Sequence, residues 1–488
     1  MPEKYSVAIV GLDRGISIAA LFLKANYIVS LYNMEIKDEK LDAGEKRVER
    51  ILQNQVRRGQ LSSQAVQNSM RNLASFSNME AAVKSADLVI EVVPESLPRK
   101  QELFTNLDQL TPRHTILATT TSHSYITQLA SVTNRPKQVA GMHFLYPIGQ
   151  IPIVEIIQGV ETSITTIQTL KEQVKNIGKT PIVSKDNPGF IVNRINAPLV
   201  LWLDLMHDQQ EFSPEDIDAA ALNAGMRIGY YERLDFFGLD EVYRNAKFFA
   251  ENIHPDYTPS PSLKNLVKTN NLGKKTGRGY YNWLGQGRPR INRNSKTTFE
   301  VLDFHKLFIN EAAKLLAEGI ATAADIDLGM KLGYNHLTRG PLEYAATFSE
   351  DDIIALEIWL DTLSNKYRKD VFLPHKYIRE GTLLKILERD VKEVAATIPK
   401  TQEWYAPAKQ EPIPGKKSDV IETPTEPLSK TITQPPFHCQ LCGIKHPTGT
   451  PRMQCENCGR FVCTDSFADM ARVGRTVCPM CEGKLTPM

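Results

Sequence analysis

Cysteine is missing from the first 438 residues, and all seven cysteines fall between Cys439 and Cys481. This excludes disulfides from the main fold, and clustered CxxC pairs behind a start with no secretory leader point to metal. Long apolar runs are lacking as well. The longest, around Ile195 to Met206, is broken by Asn196, Pro198 and Asp204, so no segment is expected to span a bilayer. The opening MPEKYSVAIVG has neither a basic n-region nor an apolar h-region, so a cytoplasmic location is expected. Excess charge of one sign is also absent: the net charge is +2, which gives no strong signal for nucleic acid or a membrane surface. What is present, 42% hydrophobic and 23% charged residues over a length of 488, is ordinary globular composition sufficient for several domains.

Short apolar runs at YSVAIV (5–10), YIVSLYN (27–33), ADLVIEVV (86–93), HTILATTT (114–121) and QVAGMHF (138–144) alternate with helical segments such as RKQELFTNLDQL. Strand alternating with helix predicts an α/β domain, a doubly wound parallel sheet of Rossmann type, closed by IPIVEII and GKTPIVS. From Asp186 the pattern turns helical. PEDIDAAALNAGMRIGYYERLD (214–235) is similar to AADIDLGMKLGYNHLTRGPLEYA (323–345), with two residues inserted before the second glycine, and this predicts two copies of one all-α domain. Residues 399–436 are rich in Pro, Thr, Lys and Glu, the composition of an extended linker.

Strand, glycine turn and helix at the start of the chain are the setting in which a helix N-terminus receives a dinucleotide pyrophosphate. Here the turn is Gly11-Leu12-Asp13-Arg14-Gly15, one residue and one glycine shorter than GxGxxG, and Arg14 can offset the Asp13 carboxylate. At the end of the second strand, where an acidic residue ordinarily accepts from the ribose 2′-hydroxyl, stands Asn33, with Glu35 nearby. A neutral Asn33 does not repel a 2′-phosphate, so NAD is expected with NADP not excluded.

Five blocks in order, VIEVVPESLPRKQELF, ILATTTSHSYI, GMHFLYP with IPIVEII, KDNPGFIVNR and LGKKTGRGYYNW, carry a family resemblance. The chain resembles the 3-hydroxyacyl-CoA dehydrogenases over residues 5–284 and their duplicated C-terminal domain over about 297–390. The resemblance implies NAD-dependent interconversion of (S)-3-hydroxyacyl-CoA and 3-oxoacyl-CoA, with His143 as general base and Glu155, twelve residues on, as its partner. Removing a hydroxyl proton as hydride leaves carbon calls for such a pair. Histidine titrates near neutral pH, and a carboxylate behind it fixes the tautomer and stabilises the imidazolium. Ser122 and Asn193 match family residues that hold the substrate oxygens, and Glu95 and Lys100 match residues near the nicotinamide and ribose. Thr120 and Tyr146 stand where the family has asparagine. In single-copy relatives the helical domain forms a dimer interface. The tandem copy therefore implies a pseudo-dimer within one chain.

The cysteine tail reads Cys439-x2-Cys442, Cys455-x2-Cys458, Cys463 and Cys478-x2-Cys481, the spacing of zinc knuckles. It resembles cross-braced FYVE or RING modules. Cys455, Cys458, Cys478 and Cys481 would then share one structural zinc ion, and Cys439, Cys442 and Cys463 a second site completed by Asp465, His438 or His446. Its basic and acidic residues are nearly balanced, which favours a protein partner over a polyanion.

The expected division is 1–184 dinucleotide domain, 185–290 first helical domain, 291–396 second copy, 397–436 linker and 437–488 zinc module. Two functions compete on the residues. His143, Glu155, Ser122 and Asn193 favour an enzyme of acyl-CoA metabolism. The short Gly11–Gly15 turn and Asn33 favour a non-catalytic acyl-CoA or dinucleotide-binding scaffold whose zinc tail docks a partner.

Overall fold

The computed structural model describes residues 5–32, 41–284, 287–294, 297, 299–301, 303–334 and 339–388, together with five short strands beyond residue 436. The chain forms two units, 1–400 and 401–488.

The first unit opens with β1 (Ser6–Val10), α1 (Gly15–Lys24), β2 (Ile28–Tyr32), α2 (Leu41–Arg57), α3 (Ser63–Met70), β3 (Leu73–Phe76), α4 (Met79–Val83) and β4 (Leu88–Glu91). It continues with α5 (Leu97–Leu110), β5 (Ile116–Thr119), α6 (Ile126–Ala130), β6 (Val139–Phe144), β7 (Ile153–Gln158), α7 (Ile164–Asn176) and β8 (Thr180–Lys185). The eight strands form one sheet in the order β3-β2-β1-β4-β5-β6-β7-β8. The inner strands read as unbroken apolar runs because helices cover both faces of the sheet. Along β1, Val7 and Ile9 enter one core cluster while Ala8 and Val10 enter another.

One expectation is corrected. The sheet is parallel from β3 to β6, but β7 runs antiparallel to β6, and β8 is parallel to β7. The connection from Phe144 to Ile153 is too short for the crossover that parallel pairing demands, so the chain folds back as a hairpin. The register of that hairpin sets His143 directly across from Glu155. An edge strand that the sequence did not announce, β3, is only half-buried, which is why its residues show no continuous apolar run.

The remaining elements are helical: α8 (Val192–Asp208), α9 (Pro214–Asn223), α10 (Tyr230–Phe237), α11 (Leu239–Asn252) and α12 (Pro261–Lys268). They are followed by α13 (Asp303–Ala317), α14 (Ala323–Tyr334), α15 (Pro341–Ala345), α16 (Glu350–Tyr367) and α17 (Lys376–Arg379). The two halves use the same local devices. Asp218 Oδ1 and Oδ2 accept from the N–H groups of Tyr231 and Glu232, and Asp327 accepts likewise from Leu342 and Glu343. Gly229 and Gly340 each open a helix with a glutamate, Glu232 or Glu343, bonded back to the cap. A Cβ on either glycine would lie 2.2–2.3 Å from its aspartate, so only glycine admits the contact. The halves share one core, in which Trp202 of α8 meets Phe304 of α13 and Trp359 of α16. No helix among the described residues is long and apolar enough to cross a membrane.

In the second unit, strands at Phe437–His438 and Lys445–His446 pair antiparallel. Arg452–Cys455 pairs antiparallel with both Phe461–Cys463 and Leu485–Pro487. Cys439, Cys442, Cys458, Cys478 and Cys481, the expected linker, and Asn33 and Glu35 lie outside the described residues. Among the described residues no group of three or more His, Cys, Asp and Glu is placed to hold a metal.

Candidate active site

The site is assembled where β4, β5, the β6–β7 hairpin and the start of α8 converge. His143 and Glu155 are cross-strand partners, so their side chains leave the same face of the hairpin. His143 Nδ1 and Glu155 Oε2 are 2.5 Å apart, with His143 5% exposed and Glu155 fully buried. A carboxylate only accepts, so Nδ1 carries the proton and Nε2 is left with the lone pair. The other oxygen of Glu155, Oε1, accepts from the N–H groups of Ile191 and Val192 at 3.1 Å each. Those donors open α8, whose aligned peptide dipoles favour a negative charge at that end. A buried glutamate thus has a stabilised charge, a fixed orientation and one free task, which is holding the imidazole.

Asn193 follows directly in the first turn of α8 and is half-buried. It is not the helix cap, a position taken by Ile191. The start of α8 is tied to the second helical half by a buried ion pair between Arg194 and Glu311, at 2.5 Å. Phe190 packs edge-on against the His143 ring at 5.5 Å. It also lines, with Ser122, Ser124, Asn187 and Phe248, a narrow crevice. Phe190 therefore stands between the His143 ring and the crevice that Ser122 lines.

Lys100 is no solvated helix-start cation. It is 1% exposed, and Nζ donates to Glu91 Oε1 at 2.7 Å and to the Val93 carbonyl at 3.2 Å. Glu91 is also fully buried and accepts from Thr119 Oγ1 and the Val93 N–H. Glu95 sits 3.7 Å from Lys100 and accepts from Thr121 Oγ1 and the Ser122 N–H, each at 2.9 Å. Burial pushes the Glu95 carboxyl up, but the neighbouring His123 imidazole, the Lys100 charge and the Ser122 N–H outweigh it and hold the pKa down to about 2. Glu91, Thr121 and His123 were not singled out in the sequence. The available signal for Glu91 was an acidic residue inside the apolar run VIEVV, where a buried charge needs a partner.

The glycine turn fits an anionic dinucleotide. Gly11 has φ +112°, and a Cβ there would stand 2.4 Å from the Val92 carbonyl oxygen. A Cβ on Gly15 would meet Ile9 Cγ2 at 2.9 Å, so this glycine lets α1 pack closely on the sheet. Among the described residues no side chain caps α1 at Arg14, and no acidic residue stands in its first turn.

The family model for the 3-hydroxyacyl-CoA dehydrogenase NAD binding domain matches residues 6–187, and that for the 3-hydroxyacyl-CoA dehydrogenase C-terminal domain matches residues 189–283. The mitochondrial hydroxyacyl-coenzyme A dehydrogenase of Rattus norvegicus is 40% identical over 225 residues, covering 45% of this chain and 70% of that one. A probable 3-hydroxybutyryl-CoA dehydrogenase of Bacillus subtilis is 34% identical over 272 residues, covering 55% of this chain and 93% of its own.

The chain belongs to the 3-hydroxyacyl-CoA dehydrogenase family.

The crystal structure of 3-hydroxybutyryl-CoA dehydrogenase from Escherichia coli superposes with a TM-score of 0.70 over 79% of this chain and 99% of that one, at 24% identity, a likeness of fold. As a 3-hydroxyacyl-CoA dehydrogenase family member, the chain keeps His143 and Glu155 in contact and carries Tyr146, 50% exposed, beside Phe236 and Phe237.

Proposed function

We propose that the chain is an NAD-dependent oxidoreductase of fatty-acid metabolism, interconverting (S)-3-hydroxyacyl-CoA and 3-oxoacyl-CoA. The observation that carries this reading is the buried His143–Glu155 contact with Glu155 anchored on the N-terminus of α8. In the oxidative direction His143 Nε2 takes the proton of the substrate 3-hydroxyl, and Glu155 stabilises the imidazolium that forms. NAD, when bound, supplies the acceptor for the hydride leaving C3. The Ser122 hydroxyl and the Asn193 amide hold the substrate oxygens and polarise the 3-oxygen as its charge changes. The Gly11–Gly15 turn with Arg14 receives the pyrophosphate. Glu95 and Lys100 shape the nicotinamide and ribose side, with Lys100 acting through Glu91 and Glu95. By its place in the sequence after β2, Asn33 stands for the acidic residue that accepts from the adenosine ribose in dinucleotide folds.

The domain division 1–184, 185–290, 291–396, 397–436 and 437–488 belongs to the same proposal. The twin Asp218–Gly229 and Asp327–Gly340 devices support a duplicated helical domain, and with it a pseudo-dimer inside one chain. The tail is proposed as a zinc module that folds on its metal and docks a protein partner. The donor set fits, because three CxxC pairs and Cys463 supply seven thiolates at knuckle spacing.

The experiment is turnover of acetoacetyl-CoA by purified chain with NADH or NADPH, followed at the nicotinamide absorbance. Turnover with NADH is expected. Failure with both cofactors, in folded protein, refutes the enzyme and leaves the scaffold.

A further inference from the structure

The turn after β5 carries a second histidine that the dehydrogenase mechanism does not use. Thr121, buried, builds the turn. Its Oγ1 donates to Glu95 Oε2 and accepts from the N–H groups of His123, at 3.2 Å, and Ser124, at 2.9 Å. The turn brings His123 Nδ1 to 3.0 Å from Ser122 Oγ. The His123 ring packs edge-on against Phe248 of α11, with centroids 5.4 Å apart and the planes at 77°. Nε2 is buried and has no hydrogen-bond partner among the described residues. Nδ1 faces the Glu95 carboxylate, 3.9 Å from Oε1.

We infer that His123 is a positioning residue, holding its proton on Nδ1 and donating to Ser122 Oγ, so that the Ser122 hydroxyl proton is turned toward the substrate 3-oxygen. The inference rests on the dehydrogenase reading of the site. A neutral imidazole offers one donor and one acceptor, and a hydroxyl has a single proton to give. With the proton on Nε2, Ser122 would spend its proton on Nδ1 and would present only lone pairs to an oxygen that gains negative charge during reduction. Two features favour the Nδ1–H form. An N–H directed at the anionic side of Glu95 is attracted, whereas a lone pair there is repelled. Glu95 keeps its charge through the working range because its pKa is held at about 2, burial being outweighed by the His123, Lys100 and Ser122 contacts. The unpartnered Nε2 then buries a lone pair rather than a donor, and genuinely orphaned buried N–H groups are the rarer case. Phe248 fixes the ring plane, so the direction of the bond to Ser122 is set before substrate arrives.

The tautomer is read directly in the full-length chain labelled with [15N]histidine, by a long-range 1H–15N spectrum with the His123 signals assigned from H123N. The expected result is a protonated Nδ1 with a pyridine-like Nε2. A protonated Nε2 overturns the inference whether or not the enzyme turns over. The kinetic arm uses H123L, H123N, S122A and H123L/S122A with acetoacetyl-CoA and NADH. H123L is expected to lower kcat by about 10–100-fold with little change in KM, less than the whole loss of an oxyanion donor. H123N, whose amide replaces the Nδ1 donor, recovers most of it, and H123L adds almost nothing in the S122A background. An equal fall in both backgrounds makes His123 a merely structural residue and overturns the inference. Inactive wild-type chain contradicts the dehydrogenase reading instead, a separate outcome.

Discussion

Replacing Glu155 by glutamine changes one atom type at the centre of the site, and the structure dictates which way the amide turns. The two N–H groups of Ile191 and Val192 require an acceptor, so the amide oxygen stays on them and the NH2 faces His143. His143 Nδ1 must then accept, its proton moves to Nε2, and the nitrogen that takes the substrate proton is already occupied. The imidazolium also loses its counter-charge at 2.5 Å. A wrong tautomer of this kind lowers kcat by about 10⁴-fold in a hydrolase triad. We therefore expect Glu155→Gln to lower kcat by about 10³–10⁴-fold, equivalent to about 4–5.5 kcal/mol at about 1.36 kcal/mol per decade. The helix donors stay paired, so stability should fall by no more than about 1 kcal/mol. The assay is NADH formation from NAD and saturating (S)-3-hydroxybutyryl-CoA, the direction in which Nε2 takes the proton, beside a thermal melt. A loss of activity below tenfold in folded protein refutes the reasoning, as does a loss explained by unfolding.

Gly11→Ala should weaken NADH binding and destabilise the chain by about 1–3 kcal/mol, because φ is +112° and the new Cβ meets the Val92 carbonyl. Fluorescence titration with NADH and a melt check this, and unchanged affinity contradicts the placement of the cofactor turn. Burial lifts the Asp218 carboxyl to about 7, against the pull of the Glu232 and Tyr231 N–H groups and the Tyr281 hydroxyl. Between about pH 4 and pH 7 the folded chain therefore holds a proton that the unfolded chain has released. Stability from this group therefore falls by up to about 1.4 kcal/mol per pH unit between about pH 4 and pH 7, and the loss is complete once pH has risen through 7. Melts from pH 5 to pH 8 should fall more steeply in wild type than in Asp218→Asn, and parallel curves count against the assignment. If the proposed zinc module is correct, a chelator should unfold the cysteine-rich tail while leaving dehydrogenase turnover within about twofold, since all seven cysteines lie beyond residue 438. Metal content by elemental analysis and turnover on the same sample decide it.

Much of the fold was legible because buried parallel strands show as apolar runs, and β1, β2, β4, β5 and β6 all fall within predicted runs. The direction of β7 was not legible, since an apolar run has no arrow and only the short connection from Phe144 to Ile153 decides it. The half-buried β3 gave no pattern at all. In the site, the separation of His143 and Glu155 in sequence became a cross-strand register in space. The Glu91–Lys100–Glu95 network was hidden, because it joins the end of β4 to the first turn of α5 and the turn after β5. His123 was not singled out in the sequence, and only the packing against Phe248 and the contact with Ser122 reveal its orientation.

The central claim is that His143 exchanges the proton of the 3-oxygen in an NAD-dependent dehydrogenase. It is tested most directly by comparing wild type with His143→Gln in acetoacetyl-CoA reduction by NADH. The account predicts robust wild-type turnover and a loss of at least about 10²-fold in the variant, the ordinary contribution of a positioned acid–base, with both proteins equally folded. Equal rates in the two proteins would contradict it.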